Sequence, residues 1–327
     1  MTDTPVSIIA VTGATGFVGS AVVRQLSDQR SCRVRAAVRR NDGLADARIE
    51  VVNVGDLAPD NQWQALVQGC DVVIHCAARV HVLNDSTSDP EAEYFRANVA
   101  ATLNLARQAA QAGVKRFIFI SSIKVNGEHT QPGLPFRADD RAAPLDPYGA
   151  SKQAAEEGLR ELAVRTAMEV VIVRPVLVYG PGVKANFRNM MRWLDKGIPL
   201  PLGAIDNRRS LVALGNLVDL VIRCIDHPNA ANQTFLVSDG HDLSTTQLLQ
   251  RMACALGKPA RLLPVPMNVL TGLARMLGKR AFSQRLCGSL QVDIEKTCTL
   301  LDWTPPVGID EAMNETAAYF LEHKRHA

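Results

Sequence analysis

The chain has 327 residues, of which 47% are hydrophobic and 21% charged, and its formal net charge is +3 at pH 7. These values are typical of a globular protein with one large or two modest domains. The mild charge and the aromatic content of 5% argue against nucleic acid as a partner.

Seven cysteines are scattered along the chain without a Cys-x-x-Cys pair, and histidines such as His75 stand alone, so no metal-ligand spacing appears. We expect His75 to be structural and the protein to hold no metal. The first residues lack the basic and apolar regions of a secretory signal, and no apolar run is long enough to cross a membrane. These features predict a protein without a membrane span in a reducing cytoplasm.

A short apolar run over residues 6–11 predicts the first buried strand, and a glycine-rich turn and a helical pattern follow it. Glycines allow the backbone to approach a phosphate, and the free N–H groups and dipole of the helix face the anion. This strand–turn–helix arrangement predicts a dinucleotide cradle with the following contacts: Gly13, Thr15, Gly16, Phe17, Val18 and Gly19.

The second predicted strand, residues 32–38, ends at Arg39 and Arg40. Enzymes that bind NAD usually carry an acidic residue near this strand end for the ribose diol, but the next acid here is Asp42. Two guanidinium groups suit a 2′-phosphate instead. We therefore expect both arginines to bind NADP(H) as the preferred cofactor, with NAD(H) as the alternative; the competing interpretation is a solvated surface pair.

Three further strands are predicted over residues 49–57, 71–78 and 116–122. The second of them ends in small residues that permit close approach of a ligand, namely Cys76, Ala77 and Ala78, and the third ends in Ser121 and Ser122. A helix is predicted between these two strands, over residues 91–113, with Asn98 at its centre and Gly113 as its C-cap.

A helix predicted after Pro147 places Tyr148 and Lys152 four residues apart on one face. A tyrosine titrates near pH ~10, and a neighbouring cation lowers its pKa. The pair is therefore typical of a general acid/base tyrosine tuned by a lysine. The spacing alone also fits an ordinary helix start with a surface lysine. Residues elsewhere in the chain must therefore distinguish a catalytic pair from this alternative.

Residues 169–175 predict a sixth strand, and residues 234–238 a last strand that rejoins the sheet. Strands that alternate with helices predict an α/β fold with a Rossmann-type doubly wound parallel sheet. Ligands of such sheets bind outside the carboxyl ends of the strands. Several candidate residues follow or close predicted strands and should gather along that edge: Gly13, Arg39, Ala77, Ser122 and Pro175.

The pattern changes after residue 178 to turns and helices. We predict a dinucleotide-binding domain of residues 1–178 plus about 210–240, and a smaller, mostly helical C-terminal substrate domain of residues 179–209 plus about 241–327. Within the latter, residues 244–247 carry a helix-capping pattern. The apolar and basic residues 267–279 favour a core or lid helix over a membrane-surface helix, because their cations are few.

Together these motifs resemble the extended short-chain dehydrogenase/reductases, in particular the nucleotide-sugar epimerases, dehydratases and reductases, over nearly the whole chain. The resemblance implies catalytic roles for Ser122, Tyr148 and Lys152. Tyr148 would exchange the hydroxyl proton of a sugar, Ser122 would hold the same oxygen, and Lys152 would lower the pKa of Tyr148 and bind the nicotinamide ribose.

The resemblance also implies binding residues. Cofactor contacts are expected, besides the cradle and the two arginines, at Asp56, Leu57, Cys76, Ala77, Ala78, Asn98, Ser121, Tyr148, Lys152 and Pro175. Substrate contacts are expected at Arg79, Ser122, Lys124, Asn186 and Arg209, of which the last two would hold the nucleotide diphosphate.

Departures from the family pattern narrow the expected reaction. The dehydratases carry an Asp-Glu pair where Ile123 and Lys124 stand, which disfavours dehydration. Relatives often carry tyrosine at the place of Asn126, which predicts a different pocket polarity. The 4-epimerases usually hold NAD with an acid after the second strand, and the arginines at 39–40 break that pattern.

The segment 121–127 resembles most the bacterial reductases that convert a UDP-4-keto-6-deoxy-N-acetylhexosamine to its 4-hydroxyl product for surface polysaccharide. We therefore expect a UDP-sugar 4-ketoreductase that forms a homodimer, as such relatives often do. One alternative is a UDP-glucose or UDP-GlcNAc 4-epimerase with bound NAD. A second alternative, from another class, is a dinucleotide sensor without catalysis, which the presence of Tyr148 and Lys152 disfavours.

Overall fold

A computed structural model describes residues 7–29, 32–40, 46, 48–80, 89–131, 133–276 and 286–324. The strands within these residues are β1 (Ile8–Thr12), β2 (Arg33–Val38), β3 (Ile49–Asn53), β4 (Val72–His75), β5 (Arg116–Ile120), β6 (Glu169–Pro175), β7 (Leu177–Tyr179), β8 (Arg209–Ala213), β9 (Thr234–Val237) and β10 (Asp242–Leu243). The α-helices are α1 (Phe17–Gln29), α2 (Gln64–Val67), α3 (Pro90–Phe95), α4 (Ala101–Gln111), α5 (Pro147–Arg165), α6 (Ala185–Asp195), α7 (Leu214–Asp226), α8 (Thr245–Ala255), α9 (Met267–Met276), α10 (Glu295–Leu301) and α11 (Ile309–Lys324).

Seven strands form one sheet in the order β3-β2-β1-β4-β5-β6-β9. Every neighbouring pair in it is parallel. The strand order reverses between β1 and β4, which creates a crevice at the carboxyl ends of these two strands. The predicted doubly wound Rossmann-type fold is therefore confirmed, and so is the return of the last strand, β9, to the sheet beside β6.

The central strands are buried on both faces because helices cover each side of the sheet. All residues of β4 and β5 are buried, as expected for parallel strands with continuous apolar sequences. One core layer packs Ile9 and Val11 of β1 against α1 and α7. Ala10 points to the opposite layer, where Leu105 of α4 and Leu159 of α5 pack.

A separate hydrophobic core lies among helices of the C-terminal half. It includes Met191 of α6, Leu249 and Met252 of α8, and Met313 and Phe320 of α11. The short strands β7, β8 and β10 form a second sheet that joins this core to the first. This arrangement supports the proposed substrate domain, whose limits remain a proposal.

The helix predicted over residues 91–113 is interrupted in its middle. A π-helical turn, Arg96–Ala100, separates α3 from α4 and carries Asn98 at its centre. Such a turn holds one more residue than an α-helical turn and often occurs at functional sites. The amide of Asn98 in this turn forms hydrogen bonds to the segment after β4 and to α5.

The remaining helical predictions agree with the structure where it describes them. Ser244 and Gln247 form the predicted reciprocal cap of α8. The predicted helix of residues 267–279 is present as α9, and residues 277–279 lie outside the described residues. Among the helices that the structure describes, none is both long and apolar enough to cross a bilayer.

Candidate active site

The glycine-rich turn after β1 depends on contacts that only glycine permits. Gly13 has a φ of +65°, and a Cβ there would lie 2.8 Å from the backbone nitrogen of Ala77. A Cβ at Gly19 would lie 2.2 Å from the carbonyl oxygen of Gly13. The hydrogen bond from Gly16 N to Gly13 O, 2.8 Å long, closes the turn, and α1 begins at Phe17.

This turn fits the pyrophosphate of a dinucleotide. Thr15 and Gly16 are exposed, so the N-terminus of α1 faces open space with its backbone N–H groups and its dipole. Phe17 and Val18 are partly buried and Gly19 is buried, so α1 packs against the sheet immediately after the turn.

The carboxyl end of β4 is held by a buried chain of hydrogen bonds. Thr12 Oγ1 lies 2.6 Å from His75 Nδ1 and accepts a hydrogen bond from Ala77 N at 3.3 Å. His75 Nε2 lies 2.9 Å from the hydroxyl of Thr102. Burial, with a smaller effect of the Lys152 charge, lowers the pKa of His75 to about 3. The ring is therefore neutral and structural, as predicted.

The small residues beyond His75 continue along the crevice. Cys76, Ala77 and Ala78 are partly buried, and burial raises the pKa of the Cys76 thiol to about 12. Asn98 fixes the next residue, because its Oδ1 accepts from Arg79 N at 2.8 Å and its Nδ2 donates to Arg79 O at 3.0 Å. The same Nδ2 also donates to Ser151 Oγ of α5. Asn98 thus ties the wall of the crevice to the helix that carries Tyr148.

The structure brings the predicted catalytic hydroxyls together. Ser122 follows β5 in an extended conformation and caps a short 3₁₀ turn, where its Oγ accepts a hydrogen bond from Lys124 N at 3.2 Å. Asp146 caps α5 by accepting from Gly149 N at 2.7 Å, so Tyr148 stands in the first turn of the helix. The side chains of Ser122 and Tyr148 are hydrogen-bonded to each other.

Lys152 is buried behind this hydroxyl pair. It is 1% exposed, its Nζ donates to Ile120 O at 2.8 Å, and the ammonium lies 4.3 Å from the ring centre of Phe119. Burial lowers the pKa of Lys152 to about 8, partly offset by the charges of Cys76 and Glu156. The side chain therefore reaches the end of β5, at the same sheet edge as Ser122.

The expected effect of Lys152 on Tyr148 is not found in this structure. Burial raises the pKa of Tyr148 above its usual value, the nearby charge of Asp146 raises it further, and the hydrogen bond with Ser122 opposes both. The ammonium of Lys152 is instead directed to Ile120 O and Phe119. Tyr148 is consequently protonated at neutral pH, which is the form of a general acid.

A buried ion pair that sequence reasoning missed lies behind Lys152. Glu156, which is fully buried, accepts from Arg174 Nε at 2.8 Å and from Arg174 Nη2 at 2.5 Å. Ser121 Oγ donates to the same carboxylate at 2.6 Å. The sequence did contain a sign of this ion pair: Glu156 follows Lys152 by four residues, so both lie on the same face of α5.

Two sequence-based expectations change because of this network. Asn126 is 2% exposed, its Oδ1 accepts from Arg174 at 2.9 Å and its Nδ2 donates to Arg137 O. The predicted effect of Asn126 on pocket polarity is therefore wrong, because its amide faces the buried arginine. The hydroxyl of Ser121 is likewise turned toward Glu156, which leaves its backbone for the proposed cofactor contact.

The predicted nucleotide edge lies beside the cradle. Arg39 and Arg40 follow β2, the strand next to β1, and both are exposed. Arg39 Nη1 lies 3.7 Å from Asp56 Oδ1, and both side chains are mostly in solvent. Leu57 is partly buried. On the other side of the site, Pro175 is buried at the end of β6.

The predicted substrate residues occupy different environments. Lys124 Nζ donates to Glu128 at 2.8 Å and pairs with Asp146, which places it next to the first turn of α5. Arg209 is partly buried and donates to Gly288 O at 3.0 Å, and its burial lowers its pKa. Asn186 is exposed on α6. Binding of substrate by these residues and by Arg79 remains a proposal.

A dinucleotide cradle at the reversal of strand order, combined with a Ser122–Tyr148 hydroxyl pair and a buried Lys152, defines a short-chain dehydrogenase/reductase. Comparisons with known proteins agree. Residues 9–238 match the model of the NAD dependent epimerase/dehydratase family. The chain belongs to this family, and the resemblance drawn from its motifs is confirmed.

Similar proteins include epimerases of known sequence and structure. The chain is 50% identical over 319 residues to a UDP-glucose 4-epimerase of Vibrio cholerae, covering 96% of this chain and 95% of that protein. It is 26% identical over 334 residues to an N-acetyl-alpha-D-glucosaminyl-diphospho-ditrans,octacis-undecaprenol 4-epimerase of Escherichia coli O157:H7, covering 97% and 96%. The solved UDP-glucuronic acid 4-epimerase of Bacillus cereus, in complex with NAD, shares the fold with a TM-score of 0.78 at 20% identity, covering 96% and 99%.

The buried ion pair predicts unequal effects of two substitutions at one carboxylate. Glu156→Gln leaves Arg174 charged and buried, so we expect the free energy of unfolding to fall by about 3–5 kcal/mol. Arg160→Gln removes the other ion pair of Glu156, in which the arginine is 46% exposed, and should cost about 1 kcal/mol or less. Urea denaturation of both variants measures the difference, and equal losses would contradict the assigned importance of Arg174.

The pKa of Lys152 predicts a dependence of stability on pH. The unfolded lysine titrates near 10.5 and the folded one near 8, so the unfolded state binds more protons between these values. The stability contribution of Lys152 therefore rises with pH over this window, by up to about 3 kcal/mol. We expect the unfolding free energy of the wild type to rise from pH 7.5 to pH 10 relative to that of Lys152→Met, which lacks the titrating group. A constant difference would show that the lysine is not desolvated.

Proposed function

We propose that the protein is an NAD(P)-dependent oxidoreductase that acts at C4 of a UDP-linked hexose or aminohexose. The observation that carries this proposal is the hydrogen-bonded pair of Ser122 and Tyr148 at the carboxyl edge of the sheet, with Lys152 buried beside it. The substrate class is supported by the names of the Vibrio cholerae relative and the Bacillus cereus neighbour, both of which are 4-epimerases of UDP-sugars.

The residues of the site divide the chemistry among them. The dinucleotide, when bound in the cradle, supplies or accepts a hydride. Tyr148 gives a proton to the sugar oxygen at C4 or takes it back, and Ser122 holds the same oxygen by a hydrogen bond. Lys152 would donate a hydrogen bond to the nicotinamide ribose when the dinucleotide is bound. Holding the reacting groups in one orientation lowers the entropic part of the barrier.

In finer detail, we propose reduction of a UDP-4-keto-6-deoxy-N-acetylhexosamine by NADPH, a step of polysaccharide synthesis. The exposed Arg39 and Arg40 support a 2′-phosphate, since no acid occurs among the described residues directly after β2. Ile123 and Lys124 stand where dehydration would need acids. The raised pKa of Tyr148 keeps its proton available, and a carbonyl that is being reduced needs a proton donor.

A second candidate is a UDP-glucose or UDP-GlcNAc 4-epimerase with bound NAD. It is favoured by the 50% identity to the Vibrio cholerae UDP-glucose 4-epimerase and by the NAD of the Bacillus cereus neighbour. Epimerisation uses Tyr148 first as a base and then as an acid, without net consumption of cofactor. A dinucleotide sensor without catalysis is disfavoured, because Ser122, Tyr148 and Lys152 are all present.

We also propose a homodimer in the cytoplasm. All seven cysteines are free in the structure, which suits a reducing compartment. The substrate domain of residues 179–209 plus about 241–327 would bind the nucleotide diphosphate through Asn186 and Arg209, with Arg79 and Lys124 nearer the sugar. Light scattering of the purified protein tests the oligomeric state.

One assay separates the two reactions. Purified protein is given UDP-4-keto-6-deoxy-N-acetylhexosamine with NADPH, and in parallel UDP-GlcNAc without added reductant. Oxidation of NADPH in the first reaction, and no UDP-GalNAc in the second, is the expected result. Formation of UDP-GalNAc together with NAD that survives purification would instead establish the epimerase. Inactivity on both would refute reduction of this keto sugar and epimerisation of UDP-GlcNAc.

Replacement of Tyr148 tests the proton transfer. Tyr148→Phe removes the phenol that carries the proton, so kcat should fall by roughly 10²–10⁴-fold while the cofactor still binds. Tyr94→Phe is the matched control, because the Tyr94 ring lies 6.1 Å from the Tyr148 ring and its loss of a hydroxyl should leave kcat within a few fold. Retained turnover in Tyr148→Phe would disprove the acid/base role.

Replacement of the two arginines after β2 tests the cofactor preference. In Arg39→Ala/Arg40→Ala the 2′-phosphate loses its counter-charges, and we expect KM for NADPH to rise by about tenfold or more while KM for NADH changes little. Arg33→Ala, at the opposite end of β2, is the control and should alter neither KM. Steady-state kinetics with both cofactors provide the measurement, and equal changes for NADPH and NADH would contradict a 2′-phosphate site.

A further inference from the structure

A cavity of about 480 Å³ lies between α6, α11 and the turn that precedes α6. None of the proposed catalytic residues and none of the proposed substrate-binding residues lines this cavity. Asn186, the proposed nucleotide contact on α6, is also absent from the lining, whereas Arg188 and Arg192 line it. The cavity is therefore distinct from the site described above, and its size is that of small-molecule pockets.

One stripe of cations lines this cavity. Lys184, Arg188, Arg192 and Lys196 recur every four residues along α6 and its two caps, so they share one face of the helix. The stripe spans about 18 Å at the rise of an α-helix. Lys324 of α11 adds a fifth cation to the lining.

Among the described residues, no acidic side chain pairs with the cations of the stripe. None of the four forms an ion pair within 4.0 Å among the residues that the structure describes. Asp195 is the acidic residue of the lining, but its side chain is 6% exposed and paired with Lys324. The chain as a whole is nearly balanced, with 36 basic and 33 acidic residues, so the excess of positive charge is local.

The opposite wall of the cavity is aromatic. The ring of Tyr319 is stacked on His323 with centroids 3.8 Å apart, and Tyr319 is 38% exposed. Gly182, with a φ of +86°, faces this ring, and a Cβ there would lie 3.9 Å from it. His323 covers one face of the Tyr319 ring, and Gly182 has no side chain to cover the rest of it. A planar ring can stack on the part of the tyrosine that is left accessible.

Charge and shape together specify a ligand. Like charges four residues apart on a helix repel one another, and an anion in the cavity relieves this repulsion. Guanidinium groups bind phosphate oxygens in a forked geometry. A row of cations about 18 Å long can contact more than one phosphate group. We propose that this cavity binds a nucleoside di- or triphosphate, with the phosphates along α6 and the base against Tyr319.

Calorimetry tests the phosphate half of the proposal. The full-length protein is titrated with inorganic tripolyphosphate at low ionic strength. Arg188→Ala/Arg192→Ala should weaken binding by about tenfold or more, since two charge-assisted contacts are lost. Arg165→Ala, at the end of α5, is the matched control and should bind as wild type. Circular dichroism establishes that each variant is folded.

Calorimetry with ADP tests the aromatic half. Tyr319→Ala should weaken binding of ADP at least fivefold and leave the affinity for tripolyphosphate within twofold, because only ADP carries a base. Equal losses for both probes would overturn the assignment to a nucleoside. Absence of tripolyphosphate binding at millimolar concentration, or binding that Arg209→Ala abolishes and Arg188→Ala/Arg192→Ala leaves unchanged, would overturn the second site. None of these outcomes depends on which sugar reaction the protein catalyses.

Discussion

The buried carboxylate of Glu156 is the constraint on which the active site depends. It joins α5, the end of β5 through Ser121 and the end of β6 through Arg174. A buried charge is stable only when it is paired and hydrogen-bonded. Arrangements of these three elements that separate Glu156 from its partners are therefore strongly disfavoured. The observed arrangement places Lys152, one turn earlier on α5, against Ile120 O and brings Tyr148 to Ser122.

The electrostatics of the site follow from this assembly. Lys152 is desolvated and its pKa is lowered, whereas burial and the charge of Asp146 raise the pKa of Tyr148. Burial shifts the pKa of each group in the direction of its neutral form, but a lysine with a pKa of about 8 is still mostly protonated at pH 7. A cation that entered the crevice would stabilise the phenolate, so the proposed dinucleotide would make the protonation of Tyr148 depend on its redox state.

Much of the fold and part of the site could be predicted from the sequence, because they depend on local patterns. Apolar runs between helical patterns predicted the sheet, and three spaced glycines with Tyr148 and Lys152 predicted the site. The π-turn at Asn98 and the inward amide of Asn126 could not be predicted, because hydrogen bonds between distant segments decide them. The rise in the pKa of Tyr148 could not be predicted either, because it results from burial, which the spacing of residues does not show.

The proposed nucleotide site has two parts that differ in how freely their residues can vary. A Cβ at position 19 would lie 2.2 Å from Gly13 O, so no residue with a side chain fits there. Arg39, Arg40 and Asp56 are exposed and touch little else, so substitutions there leave the fold intact. If these residues hold the dinucleotide as proposed, the pyrophosphate lies on a part of the site that cannot vary and the ribose on a part that can, so cofactor preference could change without a change of fold.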